Sequence, residues 1–148
     1  MIRDITPEDK PGVLRLAKMF YEERLERTGI HYDAQHASAH FDIFIKTPGV
    51  LALCAEEDGQ VVGMIAGAAS AIIFAKELAM QEMVWYVEPE KRNCGLRLLR
   101  EFEKRSAEKG LGWITMVGMT GDSSVGFYPR LGYYETQRTF MKRLENSG

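Results

Sequence analysis

The stretch M83-V-W-Y-V-E-P-E-K-R-N-C-G-L-R-L-L99 decides how this chain is read. Met80 to Val87 has the β-branched and aromatic content of a strand. Pro89 ends it, because proline has no N–H to give to a ladder. The chain then turns through Arg92, Asn93, Cys94 and Gly95 into a helix predicted over Gly95 to Lys109. Leu98, Leu99, Phe102 and Ser106 fall on one stripe of that helix. Arg97–Glu101, Glu101–Arg105 and Lys104–Glu108 are spaced for outer-face ion pairs, and Gly110 stands where helices stop. The first N–H groups of a helix lack intrahelical partners and its dipole is positive there, so such a turn suits a phosphate. Gly95 lets the backbone approach a ligand closely. Arg92 and Arg97 add charge that suits a pyrophosphate. Taken alone, the segment reads more readily as an ordinary strand–turn–helix connection with surface arginines.

Upstream, Ile2 to Ile5 reads as a short strand running into T6-P7-E8-D9. Thr6 can cap a helix, Pro7 suits its first position, and Asp9 sits where a capping-box acid belongs. Val13, Leu16, Ala17 and Phe20 recur at helical spacing; the helix is predicted to fray through Glu22, Glu23 and Arg24 and to end at Gly29. A second helix starts at Asp33, with Ala37, Phe41 and Phe44 on one face, and T47-P48-G49 breaks it. Val50 to Ala55 and Gln60 to Ala71 are strands around Asp58-Gly59, a hairpin signal. Downstream come a strand at Trp113 to Val117, a short helix at Ser123 to Arg130, and one or more strands within Tyr133 to Leu144. The order β-α-α-β-β-β-α-β-α-β predicts an α/β (α+β) fold with a mixed sheet flanked by helices.

The 148 residues suit one domain spanning 1–148. With 19 basic and 21 acidic residues interspersed and a net charge of −2, nucleic acid is not the expected partner. Val61 to Ala75 is apolar but too short for a membrane span, and the N-terminus lacks a signal pattern. Two cysteines make no disulfide framework. A cytoplasmic protein is expected, with no membrane partner. His36 and His40 are four apart on the second helix, but zinc needs more ligands than these, so no metal is expected. A helix start can lower the pKa of Cys94, but no base stands near it in sequence, and it reads as filler.

V87-E-P-E-K-R-N-C-G-L-R97 resembles the acetyl-CoA signature of the GNAT N-acetyltransferase superfamily: a strand ending in Val-x-Pro, then Arg/Gln-x-x-Gly-x-Gly/Ala, then a long amphipathic helix. Arg92 and Gly95 fall on its first two fixed positions. Arg97 replaces the small third residue and could bring a guanidinium to a CoA phosphate. S124-V-G-F-Y-P-R-L-G-Y133 resembles the second CoA-contacting helix of the same family, with Phe127, Tyr128, Gly132 and Tyr133 in place. Gly121 stands where that helix is often preceded by Asn. Two motifs in the right order are stronger than either alone.

The resemblance implies a GNAT fold with a mixed, mostly antiparallel sheet. It implies that acetyl-CoA is the acyl donor, contacted by Val87, Arg92, Asn93, Cys94, Gly95, Leu96, Arg97 and Tyr128. It also implies that an amine attacks the thioester directly, with the pantetheine arm entering a splay between the Met80–Val87 and Trp113–Val117 strands. Tyr128 is the expected acid for the departing thiolate: a phenol of pKa about 10 stays protonated at neutral pH, while a thiol has a pKa of about 8.5. Glu82 is the nearest carboxylate for a base, although strict alternation sets it with Val84 and Tyr86, away from Gln81, Met83, Trp85 and Val87. A bulge would shift that register, and a water chain could serve instead. The first two helices would form the acceptor wall for a primary amine, on a small molecule or on a protein. Family members often form homodimers. Two rivals remain at this level: a non-catalytic acyl-CoA sensor or interaction module, and a partner-binding domain with an unused phosphate turn.

Overall fold

The computed structural model describes residues 1–119 and 123–145. Two compact units divide the chain, Met1–Val117 and Gly118–Gly148. In the first unit the elements are β1 (Ile2–Asp4), α1 (Lys10–Phe20), α2 (Ala34–Phe44), β2 (Val50–Glu57), β3 (Gln60–Ala71), β4 (Leu78–Val87), α3 (Gly95–Glu108) and β5 (Trp113–Thr115). One five-stranded sheet runs in the order β1-β2-β3-β4-β5. All its pairs are antiparallel except β4 with β5. This is the expected mixed, mostly antiparallel sheet.

Local chemistry explains several element ends. Asp58 and Gly59 take φ of 51° and 75°, the double positive φ that a tight β2–β3 hairpin turn requires. Asp33 caps α2 by accepting the His36 N–H at 2.9 Å. The Asp9 carboxylate accepts from the Thr6 amide at 2.8 Å, as a capping box asks. It also takes two parallel hydrogen bonds from Arg3, at 2.7 and 2.9 Å. The Arg3 guanidinium holds the Asp9 carboxyl down at about 2, against the opposing effect of burial.

Helices cover both faces of the sheet. On one, Leu16 of α1 joins Cys54, Val61, Met64 and Tyr86, with Val13, Ala17, Phe20 and Val84 around them. On the other, α3 buries the predicted stripe of Leu98, Leu99, Phe102 and Ser106. Register places Leu51, Leu53 and Ile65 on the α3 side, with Gly63 and Gly67. Phe102 is fully buried there, a side chain whose burial contributes about 2–3 kcal/mol.

Three expectations are corrected. The end of α1 does not fray. It widens into a π turn over Tyr21–Leu25, followed by a 3-10 turn over Glu26–Thr28, and ends at Gly29 with φ 86°. Tertiary contacts hold it: the Tyr21 hydroxyl donates to the Ile30 carbonyl at 2.6 Å, and Glu23 reaches β4 and the turn beyond it. In the second unit, the predicted Ser123–Arg130 helix is two 3-10 turns, Ser123–Gly126 and Tyr128–Leu131. Residues 133–145 form no strand. Tyr133, Tyr134, Thr136 and Phe140 favour strands, but β-propensity acts only through a pairing neighbour. Arg138 instead pairs locally with Glu135.

Candidate active site

The site is built on the second half of β4. Pairing of β4 with β5 stops at Gln81↔Thr115, while β4 continues to Val87 against β3. Among the described residues the β4–β5 ladder therefore ends at Gln81, in the region where the resemblance implied a splay between these strands. A bulge falls at the same point. Ala66 pairs with Val84 and Gly67 with Glu82, so Met83 is the extra residue. Strict alternation fails here, and the register sets Glu82 opposite Gly67, on the α3 side. Glu82 is 5 % exposed. Gln81 passes to the α1 side, where its Oε1 lies 3.5 Å from the Ser70 hydroxyl.

Gly67 makes the bulge possible. A Cβ built on it would run into the Gln81 carbonyl oxygen and come within 2.9 Å of Phe102 Cζ. Only a residue without a side chain lets β4 pass so close. The bulge is thus specified by a glycine on the neighbouring strand.

Beyond Val87 the chain does not turn freely into α3. Pro89–Cys94 is already a 3-10 helix, kinked at Lys91. Its entry is anchored, because the Glu88 amide donates to the Val62 carbonyl at 2.9 Å and the Glu88 carboxylate pairs with Arg15. The Gly95 N–H is spent on the Arg92 carbonyl, so the phosphate-facing groups expected of this turn are fewer by one. Gly95 has an ordinary right-handed conformation. Its missing Cβ would stand 3.7 Å from Val87 and 3.8 Å from the Trp85 ring. These are ordinary contact distances, so within the protein neither crowding nor an unusual φ calls for glycine here. Asn93, Leu96 and Arg97 are exposed on this turn.

Cys94 is buried, with its Sγ 3.5 Å from the Cβ position of Gly63. Burial pushes its thiol pKa up, with Arg97 opposing. A helix start does not prevail here.

Arg92 is directed differently from expectation. Its Nε donates to the Val87 carbonyl at 2.8 Å, and its Nη2 donates to both oxygens of Glu23 at 2.9 and 3.0 Å. Its guanidinium carbon lies 5.5 Å from the Tyr86 ring centre, a cation–π distance. The Tyr86 hydroxyl donates to Glu23 at 2.7 Å, and Arg24 stands 3.4 Å from the same carboxylate. Burial works to raise the Glu23 pKa, but the hydrogen bonds from Arg92 and Tyr86 and the arginine charges outweigh it and hold the carboxyl down. Burial and Glu23 push the Tyr86 phenol up to about 12.

Sequence reading missed Glu23 and Tyr86 as parts of this site. The only local trace was the placement of Tyr86 with Val84 on one strand face. Glu23 lies 63 residues from Tyr86 in the chain, and no short-range pattern links them.

Tyr128 belongs to the second unit and is half-buried. Its ring packs on Tyr133 at 5.5 Å, and its carbonyl accepts the Tyr133 N–H at 3.0 Å. Gly132 ends this turn with φ 90°. Gly121 lies outside the described residues. His36 and His40 stack at 6.2 Å on α2. Among the described residues no three His, Cys, Asp or Glu side chains are grouped to hold a metal ion, and no helix is long and apolar enough to cross a membrane.

A strand that parts from its parallel neighbour at a bulge and runs into a helix start is an arrangement suited to an acyl carrier. A model of the acetyltransferase (GNAT) family matches residues 15–133. The chain belongs to that family and is an N-acetyltransferase. Solved structures share its fold. A transcriptional regulator from Bacillus halodurans C-125 superimposes with TM-score 0.80 at 15 % identity, over 97 % of this chain and 99 % of that one. AAC(6')-Iy, in complex with the bisubstrate analog CoA-S-monomethyl-acetylneamine, gives 0.78 at 14 % identity, over 99 % and 98 %. Ribosomal-protein-alanine N-acetyltransferase from Brucella melitensis biovar Abortus 2308 gives 0.76 at 16 % identity, over 97 % and 98 %. No curated protein sequence matches the chain.

Proposed function

We propose that the protein transfers the acetyl group of acetyl-CoA to a primary amine, with residues 1–148 acting as one catalytic domain. The observation that carries this reading is the end of the β4–β5 ladder at Gln81, after which β4 runs on to Val87 and the Pro89–Cys94 turn. Backbone N–H and C=O groups on a strand that has parted from its neighbour can pair with the amides of a pantetheine arm as another strand would. The exposed turn residues Asn93, Leu96 and Arg97, with Cys94 and the side-chain-free face of Gly95 beside them, would receive the pyrophosphate. Arg97 would bring a mobile charge to it.

The amine nitrogen attacks the thioester carbonyl carbon. The tetrahedral intermediate collapses, the C–S bond breaks, and CoA leaves as thiolate. Tyr128 is the proposed donor of the proton to that sulfur, on the strength of the Ser124–Tyr133 motif. The ammonium proton passes to Glu82, directly or through water; Glu82 sits where β4 parts from β5 and is the buried carboxylate of that strand. Backbone dipoles along this stretch of β4 stabilise the oxyanion. The acceptor is an amine on a small molecule or a protein, met by the wall of α1, α2 and their connection. We place the reaction in the cytoplasm.

The test is an assay of thiol release from acetyl-CoA across an amine panel, with Gly95→Glu as control. Turnover with at least one amine, and loss of CoA binding by about a hundredfold in the folded variant, are expected. Undiminished CoA affinity in Gly95→Glu would overturn the donor site. Undiminished kcat in Tyr128→Phe, with chemistry rate-limiting, would remove Tyr128. An unchanged rate–pH curve in Glu82→Gln would remove Glu82.

A further inference from the structure

We infer that Glu23 is a positioning residue of the donor site, which ties the CoA turn to the π turn of α1 by holding the Arg92 guanidinium and the Tyr86 hydroxyl on one carboxylate. The inference rests on the acetyl-CoA reading of that turn. Arg92 occupies a fixed position of the turn, yet each of its bonds in this structure points back into the protein. Nε takes the last carbonyl of β4, Nη2 takes Glu23, and the flat face covers Tyr86. The side chain therefore fixes the path of the turn against the strand end, and the backbone is left to meet the phosphates. Glu23 completes that brace from the far side. Its carboxylate receives Arg92, Tyr86 and Arg24 together. Glu23 is carried by the π turn, which opens the connection between α1 and α2. A guanidinium in a fixed fork cannot change one partner without disturbing the others. Donor turn and acceptor-side turn thus share one network, and ordering either should order the other.

The alternatives predict different signs. Were Arg92 a phosphate ligand that Glu23 competes for, removing the Glu23 charge would tighten CoA binding. Were the two residues independent contributors, their effects would add. The positioning role predicts neither. CoA affinity, measured by calorimetry, is expected to fall about tenfold in Glu23→Gln and about as much in Arg92→Gln, with the double variant no worse than the weaker binder. Binding of pantetheine, which lacks the pyrophosphate, should change less than twofold or so. Amide exchange adds a signature that loss of stability alone would not produce: CoA should slow exchange over Tyr21–Thr28 in the parent protein and leave it unslowed in Arg92→Gln. Tyr86→Phe keeps the ring under Arg92 and removes only one donor, so it covers the case where a charged-residue variant fails to fold; a loss of about two- to threefold is expected. Unchanged or tighter CoA binding in Glu23→Gln, or additive losses in the double variant, would overturn the positioning role alone. Failure of the parent protein to bind CoA would overturn the donor site and the inference with it.

Discussion

The two ends of α1 are each fastened by an arginine and a carboxylate, and the difference between the fastenings separates structure from function. At the first end Arg3 on β1 meets Asp9 through two parallel bonds, and Asp9 is only 9 % exposed. That geometry is the strong, forked form of the pair. It joins residues six apart in the chain and also caps the helix. At the second end Arg92 meets Glu23 through one nitrogen, and the Glu23 side chain is 32 % exposed. Arg92 divides its donors between Glu23 and a main-chain carbonyl. The first clasp fixes where the helix begins. The second joins distant segments around the end of β4, where a tighter clasp would leave less room for ligand-driven adjustment.

The sharpest way to break this distinction is Asp9→Ala. It removes the cap and leaves Arg3 with Glu56 as its remaining carboxylate, so urea unfolding should show a loss of about 2–3 kcal/mol, with CoA affinity unchanged. Acid offers a second test. Asp9 has its pKa depressed in the folded chain to about 2, against about 3.9 unfolded. Its contribution, about 2 kcal/mol, is complete above roughly pH 4 and is lost as the pH falls through 2. An acid-unfolding curve of Asp9→Asn should be flatter by that amount over this interval. Glu23→Gln should cost about 1 kcal/mol of stability or less, because the pair is half-exposed and unforked. A stability loss as large as that of Asp9→Ala would erase the contrast between the two ends. Lys10–Asp42, a solvent-facing pair linking α1 to α2 at 2.9 Å, sets the baseline. Lys10→Ala should change stability by less than about 0.5 kcal/mol.

How much of the molecule is legible in the sequence depends on how local each cause is. The Asp58–Gly59 turn, the Thr6–Asp9 cap, the start of α2 at Asp33 and the α3 stripe are written in residues a few positions apart, and each is found where the pattern put it. The Arg92–Arg97 turn was legible as chain path, while the direction of the Arg92 side chain was not, since Glu23 decides it from 69 residues away. The Met83 bulge is dictated by Gly67 on another strand, so alternation along β4 by itself put Glu82 on the wrong face. Residues 133–145 show the opposite failure: strand-forming side chains are present, and the segment forms no ladder among the described residues. The widening of α1 at Tyr21 was hidden for the same reason as Arg92, its contacts being tertiary.

That widening carries a consequence for how the protein tolerates changes of length. A π turn accommodates one residue more than an α-helix would use over the same rise. The reach of Glu23 toward Tyr86 and Arg92 depends on that surplus. Deleting Glu22 would let the helix relax to regular winding and shift Glu23 around its axis by one position, about 100°. Point substitutions at exposed positions of this turn should be absorbed easily, whereas a one-codon deletion should uncouple the two sides of the site while leaving both built.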